Sequence, residues 1–437
     1  MASSWNIQEI YAARRKRLLS KIDRGIAWIN SGGASFDSGH CRNVEYLTGV
    51  RSPSACLVLA PHGILVEGIA HPGHLWCTDE GAEYGRGRRV TEALFVEQPH
   101  DRFHGTVVQR PLPSLEQVRA QTGMQAVYDL ALMDEVLREA LMNEEILWTN
   151  TSKIPDLDKA VPPDVQRINA IKEHYYWLQV KNIANQIHEM RLVKDAYEIE
   201  CLRRAYQITK EVIETLMCTL KPGDNEARAV GIFQQEVKSR IDEGENADIA
   251  IAFGPIVTSG KRASTNNHWD SNRTMLDGEL VLIDCGVSYN GYSSDISRAW
   301  PINGKFTARQ REVYSIVYEG QQRGLEAFKP GGTCAQARAI VYEYYQTHGL
   351  ARFGLGRNCH PVGLNTEDAY YFGYGDYPAF KPNEVWAFEP MLMMPEESMG
   401  IRLEDGVLIT ETGHELFPAP ASDSDSVEAL CRGEEPR

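Results

Sequence analysis

Apolar positions along the chain fall into two kinds of segment. Short runs rich in Ile, Val and Leu, punctuated by Gly and Pro, occupy 25–32 (GIAWINSG) and 55–68 (ACLVLAPHGILVEG) and predict strands of an α/β domain. Helical spacing marks an amphipathic stretch over 1–23 and further segments at 115–122 and 131–143. Residues 164–190 read as helix of mixed polarity leading into a second domain. A stronger helix begins at Asp195, where Asp195 and Glu198 have capping-box spacing and Ile199, Leu202, Tyr206, Val212, Ile213 and Leu216 repeat with helical period. Strand-like runs return at 281–283 and through EVWAFEPMLMMPEESMGIRLEDGVLIT, while residues from 421 onward offer little to bury and are expected to fray.

With 437 residues the chain is long for a single core, so two domains are expected. We place them at 1–184 and 185–423, with 424–437 as a flexible tail. An internal echo bears on the second. Lys221-Pro222-Gly223 is followed by Ala227-Arg228-Ala229-Val230, and Lys329-Pro330-Gly331 by Ala337-Arg338-Ala339-Ile340, each between two helical segments. Two packed copies of one α/β unit would explain the repeat, and so would the general use of Pro-Gly between helices. In the first case a site between the halves draws ligands from both.

Chemistry concentrates in ELVLIDCGVSYNGYSSDISRAW. A buried-strand run ends at Asp284, a Tyr-Asn-Gly-Tyr turn follows at 289–292, and a second strand carries Asp295, eleven residues after the first acid. Two carboxylates side by side raise each other's pKa, so both stay charged only with a cation between them. Glu389 and Glu404 stand in a further strand pair, and an acid directly after Trp386-Ala387-Phe388 is seldom buried without a partner. With His360 these residues make four carboxylates and one imidazole, a donor set suited to a pair of divalent metals that activate water.

Composition narrows the class. A hydrophobic fraction of 43% argues for a folded chain, and a net charge of −15 argues against nucleic acid or anionic membrane as partners. Nine cysteines without a CxxC spacing fit reduced thiols in the cytoplasm, and no run of about 18 apolar residues predicts a membrane span or a signal sequence. No GxSxG, HExxH, Walker A or complete GxGxxG motif is present, which removes support for serine hydrolase, zincin, P-loop and dinucleotide-binding readings.

The second half of the chain resembles the pita-bread metallopeptidase family, which includes aminopeptidase P, prolidase and methionine aminopeptidase, together with creatinase. The matching stretches are Arg191-Leu192-Val193-Lys194 with Glu198-Ile199, then LVLIDCGVSYNGYSSDISRAWPINGKFT, HPVGL, FEP and IRLEDGVLIT. RRKRLL and NVEYLTGVRSPSACLVLAP resemble the creatinase-type N-terminal domain, so the layout is most like aminopeptidase P. The resemblance implies an α/β fold in which a creatinase-type domain precedes a pita-bread domain with pseudo-twofold symmetry.

It further implies that Asp284 holds one metal, that Asp295 and Glu404 bridge two, and that His360 and Glu389 hold the other. Mn(II) is the first expectation, with Fe(II), Co(II) or Zn(II) as alternatives. The implied reaction is hydrolysis of the Xaa-Pro amide bond of a short peptide by a homodimer. Glu389 would take and return a proton, His268 would stabilise the tetrahedral intermediate, and Arg402 would either orient Glu404 or contact a substrate carboxylate. One position departs from the family pattern. Glu367 stands seven residues after His360, where peptidases of this family carry a second histidine, and a carboxylate does not donate a hydrogen bond at neutral pH unless its pKa is raised. Together with the aromatic cluster at 370–377, this keeps a second reading open, a metal-dependent hydrolase or lyase for a small metabolite. A noncatalytic binding module is a third, against which the complete set of five ligand residues argues.

Overall fold

The computed structural model describes residues 5–31, 42–52, 54–66, 88–98, 113–124, 126–151, 161, 163–241, 248–265, 270–354, 358–368 and 378–434. The chain divides into two compact units, Met1–Glu189 and Met190–Arg437. That division falls within a helix, a few residues beyond the 184/185 position expected from sequence.

The first unit runs α1 (Ile7–Leu19), β1 (Ile26–Asn30), α2 (Asn43–Thr48), β2 (Cys56–Leu65), β3 (Arg89–Val96) and α3 (Leu115–Thr122). It continues with β4 (Val127–Asp129), α4 (Met133–Met142), β5 (Ile146–Thr149), α5 (Pro163–His174), β6 (Gln179–Asn182) and the start of α6 (Ala184–Leu192). The six strands form one mixed sheet in the order β4-β3-β2-β1-β5-β6. The two apolar runs read as strands become β1 and β2, which pair antiparallel at its centre. Trp28, Val58, Phe95, Leu137 and Leu147 belong to the core against that sheet. The expected continuous helix over 164–190 is corrected: α5 stops at His174, and β6 joins the sheet edge parallel to β5 before α6 begins. An edge strand reading Gln-Val-Lys-Asn buries too little to show as a strand in sequence.

The second unit begins with α7 (Ala196–Thr219) and α8 (Glu226–Ser239), then β7 (Ile249–Ile251), β8 (Ile256–Ser259), β9 (Leu280–Cys285), β10 (Val287–Tyr289), β11 (Tyr292–Ser293) and β12 (Ile296–Pro301). A second helix pair follows, α9 (Ala308–Leu325) and α10 (Cys334–Thr347), then β13 (Cys359–Pro361), β14 (Val385–Phe388), β15 (Met391–Met394), β16 (Met399–Arg402), β17 (Asp405–Ile409), β18 (His414–Leu416) and α11 (Ser424–Cys431). The echo in sequence therefore marks a repeated order: two helices joined through Lys-Pro-Gly, then a long hairpin. Asp195 and Glu198 form the capping box of α7, and Asn225 and Thr333 cap the helices that follow each Lys-Pro-Gly.

Both arms of each long hairpin break midway, so one hairpin contributes to two sheets. In the first, β9 pairs with β12 and β10 with β11; in the second, β14 pairs with β17 and β15 with β16. The register survives each break. Cys285 faces Ile296 on one side and Ser288 faces Ser293 on the other, just as Phe388 faces Asp405 and Met391 faces Arg402. At the first break only glycine fits: a Cβ on Gly286 would lie 2.0 Å from the Ser294 carbonyl oxygen. The turn at 289–292 has left-handed Asn290 and Gly291, as a two-residue hairpin loop requires.

The C-terminal tail is a second correction. Residues 424–431 form α11, capped by Asp423, with Val427, Leu430 and Cys431 buried against the rest of the unit. Glu428 accepts from the Phe306 amide at 2.8 Å and Cys218 donates to the Leu430 carbonyl. Three apolar residues at i, i+3 and i+4 suffice for a one-sided helix, though the surrounding polar residues obscure them.

Two glycines separate steric need from conformational freedom. Gly286→Ala should lower unfolding free energy by about 2–3 kcal/mol in urea denaturation, because the new methyl group overpacks the break. Gly231→Ala, on the exposed face of α8 with open space around it, should raise it by about 0.5–1 kcal/mol. Equal effects of the two substitutions would contradict this account of the break.

Candidate metal centre

Each of the four sequence-selected carboxylates lies at or beside a hairpin break. Asp284 is the penultimate residue of β9, Asp295 directly precedes β12, Glu389 directly follows β14 and Glu404 directly precedes β17. Glu389 and Glu404 fall opposite each other in the register shared by the flanking pairs. His360 comes from β13, facing Ala387 across the ladder. A break turns side chains out of the strict alternation of a flat sheet, which lets acids from neighbouring strands point to one spot.

Asp295, His360 and Glu404 are buried and approach within 4.8 Å of one another. His360 Nε2 lies 3.4 Å from Asp295 Oδ2 and 3.7 Å from Glu404 Oε1, and its Nδ1 is 3.3 Å from the Pro361 carbonyl oxygen. Asp284 and Glu389 join through Arg402, whose Nη2 pairs with Asp284 Oδ2 and whose Nη1 is 3.8 Å from Glu389 Oε2. Arg402 is 3% exposed and faces these carboxylates. Glu389 is the most open of the acids, with 21% of its side chain accessible.

Ser297, which sequence reading did not single out, ties the two hairpins together. Its Oγ accepts from Arg402 Nε at 2.8 Å and donates to Glu404 Oε2 at 2.7 Å, while its carbonyl accepts the Glu404 amide at 3.1 Å. Arg298 adds a hydrogen bond of 2.7 Å to the Glu404 carbonyl and a 2.5 Å ion pair with Asp405, whose other oxygen accepts from Gln321 at 2.9 Å. Serine two residues after Asp295 is the sole sequence cue to this bridge, and serine is too common on strands to stand out.

Crowding shapes the electrostatics. Burial pushes Asp284 up to about 6, with Glu404 adding to the rise and Arg402 opposing it. Burial and then Glu404, Asp284 and Glu389 hold Asp295 well above the usual carboxylate range. Glu389 rises to about 7, by burial and then Glu404. Burial would lower His360, but its hydrogen bond to Glu404 and the nearby carboxylates of Glu389, Glu404 and Glu367 outweigh that and bring it to about 9. Burial alone would raise Glu404, yet hydrogen bonds from His360 and Ser297 and the Arg402 charge hold it low. Oδ1 of Asp284 and Oδ1 of Asp295 are buried without a hydrogen-bond partner among the described residues. Orphaned acceptors in an oxygen-rich cluster with unfavourable like-charge contacts fit divalent cations.

Glu367 is exposed on the turn that follows β13, near enough for its charge to act on His360. His268 and the aromatic cluster at 370–377 lie outside the described residues.

Residues 200–411 match the model of metallopeptidase family M24. The chain is 32% identical over 274 residues to the Xaa-Pro aminopeptidase of Escherichia coli (strain K12), covering 56% of this chain and 60% of that protein. It is 30% identical over 246 residues to the Xaa-Pro dipeptidase of Pyrococcus furiosus, covering 56% of this chain and 68% of the relative. The match to the Escherichia coli protein thus spans less than two thirds of its length. Among solved structures, aminopeptidase P from E. coli with the inhibitor Pro-Leu superposes with a TM-score of 0.76 at 23% identity, covering 98% of both chains. Its architecture, an N-terminal domain before a pita-bread domain, is the one described above. The chain belongs to metallopeptidase family M24.

Proposed function

We propose that this protein hydrolyses the Xaa-Pro amide bond of short peptides at a centre of two divalent ions held by Asp284, Asp295, His360, Glu389 and Glu404. The observation that carries the reading is the convergence, in an M24 chain, of four carboxylates and an imidazole with carboxylate oxygens that lack partners among the described residues. The names of the Escherichia coli and Pyrococcus furiosus relatives support the Xaa-Pro bond as substrate. An oxygen-rich set favours Mn(II), with Fe(II), Co(II) or Zn(II) as alternatives. The proposal includes a cytoplasmic homodimer. The seven described cysteines are free thiols, as a reducing compartment keeps them. No described helix is long and apolar enough to cross a membrane.

When bound, such ions polarise a carbonyl and make water nucleophilic at neutral pH. The chain's own residues do the rest. Glu389, partly open, takes a proton from the attacking water and returns it to the leaving amine. Arg402 and Ser297 hold Asp284 and Glu404 in place, and Arg298 fixes the backbone behind Glu404. His268 is assigned the role of hydrogen-bonding the tetrahedral oxygen. Glu367, an exposed acid beside the site where a second histidine is expected, favours the second reading, a hydrolase or lyase for a small metabolite.

Mn(II)-loaded protein should release proline-containing product from Xaa-Pro peptides; absence of turnover by metal-replete protein would transfer support to the small-metabolite reading. Asp295→Ala should lower activity by at least about a thousandfold and release metal, since Asp295 would help to hold the ions; elemental analysis showing two retained ions in an active variant would refute the assignment. Glu367→His should raise kcat/KM on Xaa-Pro peptides by about tenfold, the scale of one added hydrogen-bond donor.

Stability against pH supplies an independent check. In metal-free protein, Asp284, Asp295 and Glu389 bind protons more tightly when folded, so stability falls as pH rises from about 4 through their raised values. His360 has the same sign: its contribution is complete below 6.5 and is lost as pH rises through about 9. Glu404, held low, contributes above its ordinary value of 4.5 and loses that contribution as pH falls. Bound cations replace the protons. The gap in unfolding temperature between Mn(II)-loaded and chelator-treated protein should therefore widen from about pH 5 to about pH 8. A gap independent of pH would count against these residues as ligands.

A further inference from the structure

The stretch Arg191-Leu192-Val193-Lys194, with Glu198, takes no part in the centre, yet the unit buries its charges. Arg191 and Lys194 are 0% and 3% exposed, and Glu198, Asp368 and Glu384 are buried with them. Arg191 Nη2 pairs with Asp368 Oδ1, with both side chains almost wholly enclosed. Val193 forms a β-bridge to Glu384 and the Lys194 amide donates to the Asn383 carbonyl at 2.8 Å, so this segment lines up beside the entry to β14.

Asp368 closes the turn that leaves β13. Its amide donates to the Pro361 carbonyl at 2.8 Å, and its Oδ2 accepts the Leu364 amide at 3.2 Å. A Cβ on Gly363 would lie 2.1 Å from that same oxygen, so the carboxylate fills the space a side chain would need. The turn is also tied across the site. The Gly363 carbonyl accepts the Ser293 amide at 2.8 Å, two residues before Asp295, and the Val362 amide donates to the Val385 carbonyl at 3.0 Å. His360 directly precedes this turn. One rigid loop thus joins the strand that supplies His360 to the segment that supplies Asp295.

Burying an ion pair seldom adds net stability over an apolar pair of similar volume, whereas removing one partner alone is strongly destabilising. The pair's value lies in geometry: a planar guanidinium gripping a carboxylate sets distance and direction together. We infer that Arg191 and Asp368 are positioning residues, a clamp on the 361–368 turn that sets the separation of His360 from Asp295 and through it the metal affinity of the centre. This inference rests on the metal-centre reading above.

The test compares wild-type protein with two variants. Arg191→Met/Asp368→Asn removes both charges while keeping volume and an acceptor for the Leu364 amide. Gly363→Ala displaces the carboxylate without altering any charge. Mn(II) affinity is measured by competition with a chelator, the visible absorption of Co(II) reports ligand geometry, and unfolding temperature is taken in chelator. Both variants should bind Mn(II) at least about tenfold more weakly with a changed Co(II) spectrum. The double variant should unfold within a few degrees of wild type. A folded variant of either kind with wild-type affinity and spectrum overturns the clamp. Wild-type protein that takes up no ion overturns the metal-centre reading itself, and with it the clamp's role.

Discussion

Four carboxylates meet at one spot, three of them where water barely reaches, and the structure of the second unit is organised around that unfavourable encounter. Asp284, Asp295 and Glu404 are all under a tenth exposed, and the fixed positive charge turned toward them belongs to Arg402. Among the described residues, Arg402 and a protonated His360 against four acids leave a surplus of negative charge if every acid is ionised. Protonation absorbs that surplus in the bare chain, and divalent ions absorb it in a loaded one. Arg402 reaches Asp284 on one hairpin and Glu389 on the other, and Ser297 relays its hydrogen bonding to Glu404. The serine hydroxyl works as donor and acceptor at once, a combination that alanine or valine at this position would not supply.

The repeated helix-pair and hairpin order accounts for where the acids sit. A continuous strand alternates its side chains between two faces, which would spread four carboxylates over different surfaces. Splitting each hairpin arm between two sheets places the acids at the points where the chain changes sheet. Gly286 makes the first crossing possible, and Pro390, next to Glu389, stands at the corresponding place in the second. Support behind the centre also follows the repeat: Arg298 on β12 reaches the Glu404 backbone and Asp405, joining one hairpin to the other.

What could be read from sequence was what leaves a strong periodic or compositional mark. The capping box at Asp195, the runs that became β1, β2 and β9, and the acids at strand ends were legible because burial demands uninterrupted apolar residues beside them. Elements held by few apolar contacts were not. Gln179–Asn182 is an edge strand with exposed polar side chains, and Ser424–Cys431 packs as a helix on three apolar residues among polar ones. Ser297 and Asp368 were overlooked for a different reason: their importance lies in hydrogen bonds to residues distant in sequence, and neither residue type signals such partners.

The unbroken register through both hairpins has a consequence for how the centre is assembled. Side chains repeat every two residues along a strand, so a slip by one residue would send each acid on that arm to the opposite face. The tight turn at 289–292 and the outer β15–β16 pair share registers with the acid-bearing segments, so the pairing at the hairpin tips and that of the inner strands fix the same alignment. A slip in the first hairpin would therefore cost the centre Asp284 or Asp295, and one in the second Glu389 or Glu404, while the other hairpin kept its own acids. The placing of each pair of acids is set some distance away, by turns that carry none of the chemistry.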